Sequence, residues 1–350
     1  MKINNLTLKN FRNFKSFEVE FSIAKTLIIG PNGAGKSNIL EAVYLLSSGD
    51  SNRAVKEDEM VRFGAGYAKV LASTTKEKGD VENLDLTLTV SPTGRPSKVG
   101  KVNGIKRSLG DLSGELKAVE FSPSNLDLVN GSPDVRRRYL NSVLCQIKRE
   151  YRDSYRHYEK IRKQKNALLG QITEGAAKPS QVDLWNEKIL EFGRLVQEIR
   201  QEYFTYLSKN VVDIAYDYRP SALSEERLLK YKDAEIAAGV SLIGPHRDDF
   251  VFMAQTDGAE VRNLALFGSR GQQRIAVFEL KLGEIGYFKD QTGDRPVLLL
   301  DDIFSELDGK RRQEVLTRIG EDLVEQVIFT ATDEAHVGVE NLRGMKVIKL

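Results

Sequence analysis

A chain of 350 residues, 41% of them hydrophobic, can bury two modest cores, and its 52 Lys+Arg against 50 Asp+Glu leave no global charge excess that argues for a polyanionic partner. The single cysteine, Cys145, excludes an internal disulfide framework and fits a reducing compartment in which the thiol is inert packing. The purest apolar run, Val297 to Leu300, is far below the ~18 residues of a membrane span, so a cytoplasmic chain with no membrane partner is expected.

The first stretch alternates as strands do, with Leu6 and Leu8, then Phe17, Val19 and Phe21, on one face, and Thr26 to Ile29 follows as a short buried strand. A glycine-rich loop comes next, and residues 38–46 carry a helical pattern. Leu84, Leu86, Leu88 and Val90 alternate again up to the breaker-rich segment from Ser91 to Pro96, which predicts antiparallel sheet. From about Ser122-Pro123 the chain turns helical, with Leu140, Leu144, Ile147, Tyr151, Tyr158, Ile161 and Leu168 on one stripe. After a Gly/Pro loop at about 170–179, Val182, Trp185, Ile189, Phe192, Val196, Ile199, Tyr203 and Tyr206 step by three and four in a heptad seam. Two such helices joined by a short loop predict an antiparallel hairpin whose aromatic stripe is core. From about Leu242 strand and loop character returns, followed by a helix from Gly271 to about Tyr287, the strand Val297 to Leu300, a helix from about Gly309 and the strand Gln326 to Phe329. The order is sheet, helical insertion, sheet.

Three motifs carry chemistry. Gly30-Pro31-Asn32-Gly33-Ala34-Gly35-Lys36-Ser37, followed by Asn38, has the phosphate-loop pattern and sits between a buried strand and a helix. Its glycines let backbone N–H groups curl around phosphate oxygens, Lys36 reaches the β/γ-phosphates of ATP, and Ser37 ligates Mg²⁺. The apolar strand from Val297 ends in Asp301-Asp302, where Asp301 is the candidate Mg²⁺ ligand and Asp302 the candidate general base, in the place where a glutamate usually polarises the attacking water. Ser269-Arg270-Gly271-Gln272 opens a helix about 30 residues before that strand end and is similar to the signature motif of ABC ATPases, in which a partner protomer's serine, glycine and helix N-terminus hold the γ-phosphate. The segment Ile303 to Asp308 is similar to the D-loop of that class, and Thr332 stands where a switch histidine is usual. The fold class expected is α/β: an ABC-type P-loop ATPase head with a mixed sheet (1–122 and 236–350) and an inserted all-α helical-hairpin lobe (123–235).

Further segments, Leu8 to Phe14, Gly131 to Leu140 and Gly244-Pro245-His246-Arg247-Asp248-Asp249, together with the signature and paired aspartates in the same order, resemble the RecF family, whose heads are similar to those of SMC proteins. That resemblance implies an ATP-dependent homodimer that binds double-stranded DNA and gap junctions, acts with RecO and RecR to load RecA, and hydrolyses ATP slowly. It also implies that Arg12 lies near the phosphates. One departure is Gly49-Asp50-Ser51-Asn52-Arg53, where an acid stands in place of a base.

Between Arg136 and Lys165 there are eleven Lys/Arg against three acids, and Arg149, Arg152, Arg156, Lys160 and Lys163 share one helix face, a stripe able to follow a phosphate backbone or equally to be a solvated surface. Two other classes share the P-loop: the ATP-binding subunit of a transporter, which would have a membrane partner, and a small-molecule kinase, which would act as a monomer.

Overall fold

The computed structural model describes residues 1–54, 56–76, 79–91, 96–256, 260–302, 323–333 and 344–350. In chain order, β1 (Lys2–Phe11), β2 (Phe14–Glu20) and β3 (Lys25–Ile29) lead into α1 (Lys36–Ser48). Next come β4 (Tyr67–Thr75), β5 (Val81–Val90), β6 (Pro96–Val102), β7 (Ile105–Arg107), the single turn α2 (Leu109–Leu112) and β8 (Ala118–Phe121). A helical stretch holds α3 (Asp127–Asn130), α4 (Pro133–Ile147), α5 (Arg149–Thr173), α6 (Val182–Asn210), β9 (Ala215–Arg219) and α7 (Glu225–Ala238). Then follow β10 (Asp249–Thr256), β11 (Glu260–Asn263), α8 (Leu264–Phe267), α9 (Arg270–Thr292), β12 (Val297–Asp301), β13 (Gln326–Ala331) and β14 (Lys346–Lys349). The candidate D-loop at 303–308 and the helix expected from about Gly309 lie outside the described residues.

Two compact units emerge, 1–125 with 281–350, and 126–280. The first contains an antiparallel sheet of order β2-β1-β4-β5-β6-β7 and a parallel sheet of order β14-β3-β13-β12-β8. The alternation of β1 and β2 is realised as one face, because Leu6 pairs with Val19 and Leu8 with Phe17. Helix α1 is buried nearly all round, its Ile39, Leu40, Val43 and Leu46 packing in one core with Leu6, Leu8, Leu84 and Leu86 of the first sheet and Val297, Leu299 and Ile328 of the second. A helix packed between two sheets is buried on both of its faces, and the buried Glu41 of α1 is accordingly held by an ion pair. The sheets are tied by the buried Gln326, whose amide donates to Ile3 O (2.8 Å) and Ser22 O (2.7 Å) and whose carbonyl accepts from Ile3 N (2.8 Å).

In the second unit α5 and α6 form the expected antiparallel hairpin: Tyr151 meets Arg200, His157 stacks on Phe192, and Leu169 packs with Val182. The stripe is core at Tyr151, Tyr158, Ile161, Val196, Ile199 and Tyr203, whereas Ile147, where α4 ends, and Leu168, Trp185, Phe192 and Tyr206 are only half buried. Residues 236–280 pack with this unit rather than with the sheets, a different partition from the 123–235 insertion expected above. The reason is pairing at long range: β10 adds to β9, with Asp249 opposite Arg219 and Met253 opposite Ala215, and Arg200 bonds the fully buried Asp248 at 2.7 Å.

Candidate nucleotide site

Parallel strands bring their C-terminal ends to one edge, and crevices at such edges are where open α/β sheets bind ligands. Here β3 delivers Gly30, β12 delivers Asp301, and β13 between them delivers Thr330 opposite Asp301. Ser37 Oγ donates to Asp301 Oδ1 (2.8 Å), Thr330 Oγ1 donates to the same oxygen (2.7 Å), and Asp302 N donates to Thr330 Oγ1 (2.9 Å). Thr330 was not singled out from sequence; its place one strand over from Asp301 appears only with the sheet order.

The loop itself is built to receive oxyanions. Gly33 and Gly35 have φ of 84° and 106°, values that favour glycine. A Cβ on Gly35 would lie 2.6 Å from Phe14 Cζ and 2.8 Å from the Asn13 amide. Helix α1 has no side-chain cap and no acid in its first turn, and the N–H groups of Gly33, Gly35, Lys36 and Ser37 find no acceptor among the described residues. Those donors, the positive end of the helix and Lys36, whose ammonium rests on the carbonyls of Gly30 (2.7 Å) and Pro31 (3.1 Å), together match a phosphate chain. No group of three or more His, Cys, Asp or Glu able to hold a metal occurs among the described residues. One carboxylate and one hydroxyl are nevertheless the usual protein share of an Mg²⁺ site completed by phosphates and water, and Asp301 Oδ2 has no hydrogen-bond partner among the described residues. The set fits Mg²⁺ with ATP.

Around this centre lie several further residues. Arg12 forks onto the fully buried Glu41 (2.8 and 2.6 Å) and also donates to Glu59 O (2.9 Å), in a backbone of φ 52°. Its neighbour Asn13 bonds Ala34 O (3.1 Å) and accepts from Asn38 (2.9 Å), so the turn after β1 abuts the phosphate loop. Ser51 also donates to Glu41, at 2.5 Å. Asp50, the acid at the position of departure, pairs with Lys98, which also reaches Glu57 (2.8 Å) and Gly49 O (3.0 Å); burial pulls the Lys98 pKa down, but the two carboxylates outweigh it and raise it. Asp302 takes φ of 48° at the strand end and is half buried, as is Thr332 after β13.

Glu120 of β8, two residues diagonally across from Asp301, gave no signal in the sequence. It is 2% exposed, and neither carboxylate oxygen has a hydrogen-bond partner among the described residues. Burial, then the charges of Asp301 and Glu41, push its pKa up to about 8 against the opposing pull of Lys281 and Arg53. It is therefore protonated near neutrality.

The other candidates belong to the second unit. Ser269 Oγ accepts from Gln272 N (3.3 Å) while Gln272 Oε1 accepts from Ser269 N (2.8 Å), a reciprocal cap that opens α9. Ser269 is exposed, Gly271 and Gln272 are half buried, and Leu266, Phe267 and Ile275 beside them are 74%, 59% and 41% exposed. On α5, Arg149, Arg156 and Lys160 are exposed, but Asp153 lies 3.6 Å from Arg149 and 4.0 Å from Arg156, and Arg152 turns back to Cys145 O (3.2 Å). Two members of the basic segment leave the surface altogether: Arg136 is buried on Asp249 (2.6 Å) and Lys165 on Glu235 (2.6 Å). No described helix is long and apolar enough to cross a membrane.

The family model of the RecF/RecN/SMC N-terminal domain matches residues 2–348. Proteins named DNA replication and repair protein RecF from Ruminiclostridium cellulolyticum and Halalkalibacterium halodurans are 34% and 35% identical, over 97% and 91% of this chain and 94% and 90% of theirs. Two solved structures of the recombination mediator protein RecF in the RecFOR pathway, one with ATP and one with ATPrS, share 30% identity with TM-scores of 0.86 and 0.84, covering 95% and 96% of this chain and 92% and 94% of theirs. The fold is thus that of an ABC-type ATPase head, α/β with sheets of both kinds, carrying a helical lobe. The chain belongs to the RecF/RecN/SMC N-terminal-domain family, as one of its RecF members.

Proposed function

We propose that this chain is a recombination mediator of RecF type that binds Mg²⁺·ATP on the 30–38 loop and closes that site with a second copy of itself. Lys36 and the loop N–H groups hold the β- and γ-phosphates, with Asn38 flanking them. Ser37 and Asp301 hold the metal, and Asp302 orients water for a slow, DNA-dependent hydrolysis that serves as a release switch. Thr332 flanks the γ-phosphate from β13, and Arg12 stays on Glu41 until nucleotide draws it over. Ser269, Gly271 and Gln272 of one copy cap the nucleotide of the other. The dimer binds double-stranded DNA and gap junctions, with Arg149, Arg156 and Lys160 as candidate contacts and Arg152 as their support, and acts with RecO and RecR in the cytoplasm at the nucleoid to load RecA.

The observation that carries the reading is the convergence of an uncapped helix N-terminus, Lys36 and the Ser37–Asp301–Thr330 cluster at one sheet edge. Relatives solved with ATP and ATPrS support it. The exposed serine-led helix with its apolar neighbours supports pairing, since exposed apolar groups beside an anion-binding helix end suit a partner surface. Sedimentation of wild type, Lys36→Met and Ser269→Arg with and without ATP and DNA tests it: ATP-dependent dimers are expected for wild type alone, and a Ser269→Arg protein that dimerises normally overturns the role given to the serine.

A further inference from the structure

The motifs at 131–140 and 244–249 have no part in nucleotide binding, yet they meet in the second unit to line a cavity of about 370 Å³. Its back wall is a fixed network. Arg200, 1% exposed, donates to Asp248 Oδ2 (2.7 Å), Pro245 O (2.7 Å), Tyr151 Oη (3.0 Å) and Asn141 Oδ1 (2.8 Å). Tyr151 Oη donates to the same Asn141 oxygen (2.7 Å), which fixes the amide orientation and leaves Asn141 Nδ2 without an acceptor among the described residues. His246 is held neutral: its Nδ1 accepts from Tyr158 Oη (2.6 Å), its Nε2 donates to Ser241 O (3.0 Å), and burial lowers its pKa to about 4.

Five arginines line the cavity, and three are matched by carboxylates: Arg137 by Asp134 (2.5 Å), Arg162 by Glu159 (2.8 Å) and Arg200 by Asp248. Arg138 and Arg247 are exposed and their guanidinium groups have no hydrogen-bond or ion-pair partner among the described residues, and the Tyr155 hydroxyl has none either. Two unmatched guanidinium groups, an amide N–H₂ and a phenol O–H thus converge on one concavity. That donor set suits a dianion with several acceptor oxygens, and guanidinium forks favour phosphate. The volume exceeds that of a bare phosphate, so the anion enters attached to a larger body.

We propose that this cavity is a binding site in its own right for a phosphate monoester, carried either by the terminus of a DNA strand or by a free mononucleotide. It does not depend on the reading of the P-loop. The test uses the full chain with ATP and Mg²⁺ saturating, matched duplexes ending in 5′-phosphate or 5′-hydroxyl, and dTMP as the free monoester. Arg138→Ala with Arg247→Ala removes the two unmatched cations, and Tyr155→Phe removes a hydroxyl with no hydrogen-bond partner among the described residues, so both proteins should melt as wild type does. About a tenfold preference for the phosphorylated duplex, lost in the arginine variant and reduced about threefold in Tyr155→Phe, supports a DNA terminus. No end preference, with dTMP binding lost in the same variants, supports a free mononucleotide. Overturning results are both ligands binding the variants as they bind wild type, or the two duplexes weakening equally, which would place the arginines on internal backbone phosphates.

Discussion

Replacing Glu120 by Gln should change how stability depends on pH. The carboxyl ionises near 4.5 when exposed and near 8 when folded, because burial and the neighbouring Asp301 and Glu41 disfavour its charge. A folded pKa above the unfolded one means stability is fully present below pH 4.5 and lost as pH rises towards 8. At ~1.36 kcal/mol per pH unit, the span from 4.5 to about 8 corresponds to roughly 5 kcal/mol of stability lost over that window. Gln is isosteric and does not ionise, so the variant lacks this slope. Urea unfolding of both proteins, followed by far-ultraviolet circular dichroism at intervals from pH 5 to pH 9, should show the difference in midpoint moving steadily in favour of Glu120→Gln. Parallel curves would refute the reasoning, since Glu120 would then be ionised in the folded protein or reached by water.

Removing one partner of the buried Lys165–Glu235 pair, as in Lys165→Met, should cost about 3–5 kcal/mol by stranding a carboxylate; adding Glu235→Gln should restore most of it in the same unfolding assay. Asp302→Glu is expected to raise ATP turnover severalfold, because a longer carboxylate reaches water that the shorter one holds poorly; a large loss in phosphate release speaks against that geometric argument. If α5 follows DNA, Arg152→Ala with Arg156→Ala lowers the slope of log affinity against log salt by about one for each phosphate contact removed, and an unchanged slope takes the stripe out of the DNA site.

The phosphate loop, Asp301 and the serine cap of α9 were legible because each is a local pattern tied to one strand end or helix start. The register of β1 on β2 was legible because alternation fixes which face is buried. What escaped depends on partners far apart in the chain. Nothing near Glu120 reveals that β8 will lie against β12 and bury it beside Asp301. Arg136 and Lys165 counted as surface charge until Asp249 and Glu235 came to meet them from 113 and 70 residues away. Residues 236–280 resembled a return to the head because strand character resumed there, whereas β10 pairs back onto β9.

Mixing two disabled proteins tests composite closure most directly. A Lys36→Met head paired with a Ser269→Arg head has one ruined site and one intact site, the latter made from the second head's phosphate loop and the first head's Ser269. The mixture with ATP and DNA is therefore predicted to sediment as heterodimers and to hydrolyse ATP at roughly half the wild-type rate per dimer, while neither protein alone does either. A mixture as inert as its components, or a Ser269→Arg protein fully active alone, would contradict a site shared between two copies.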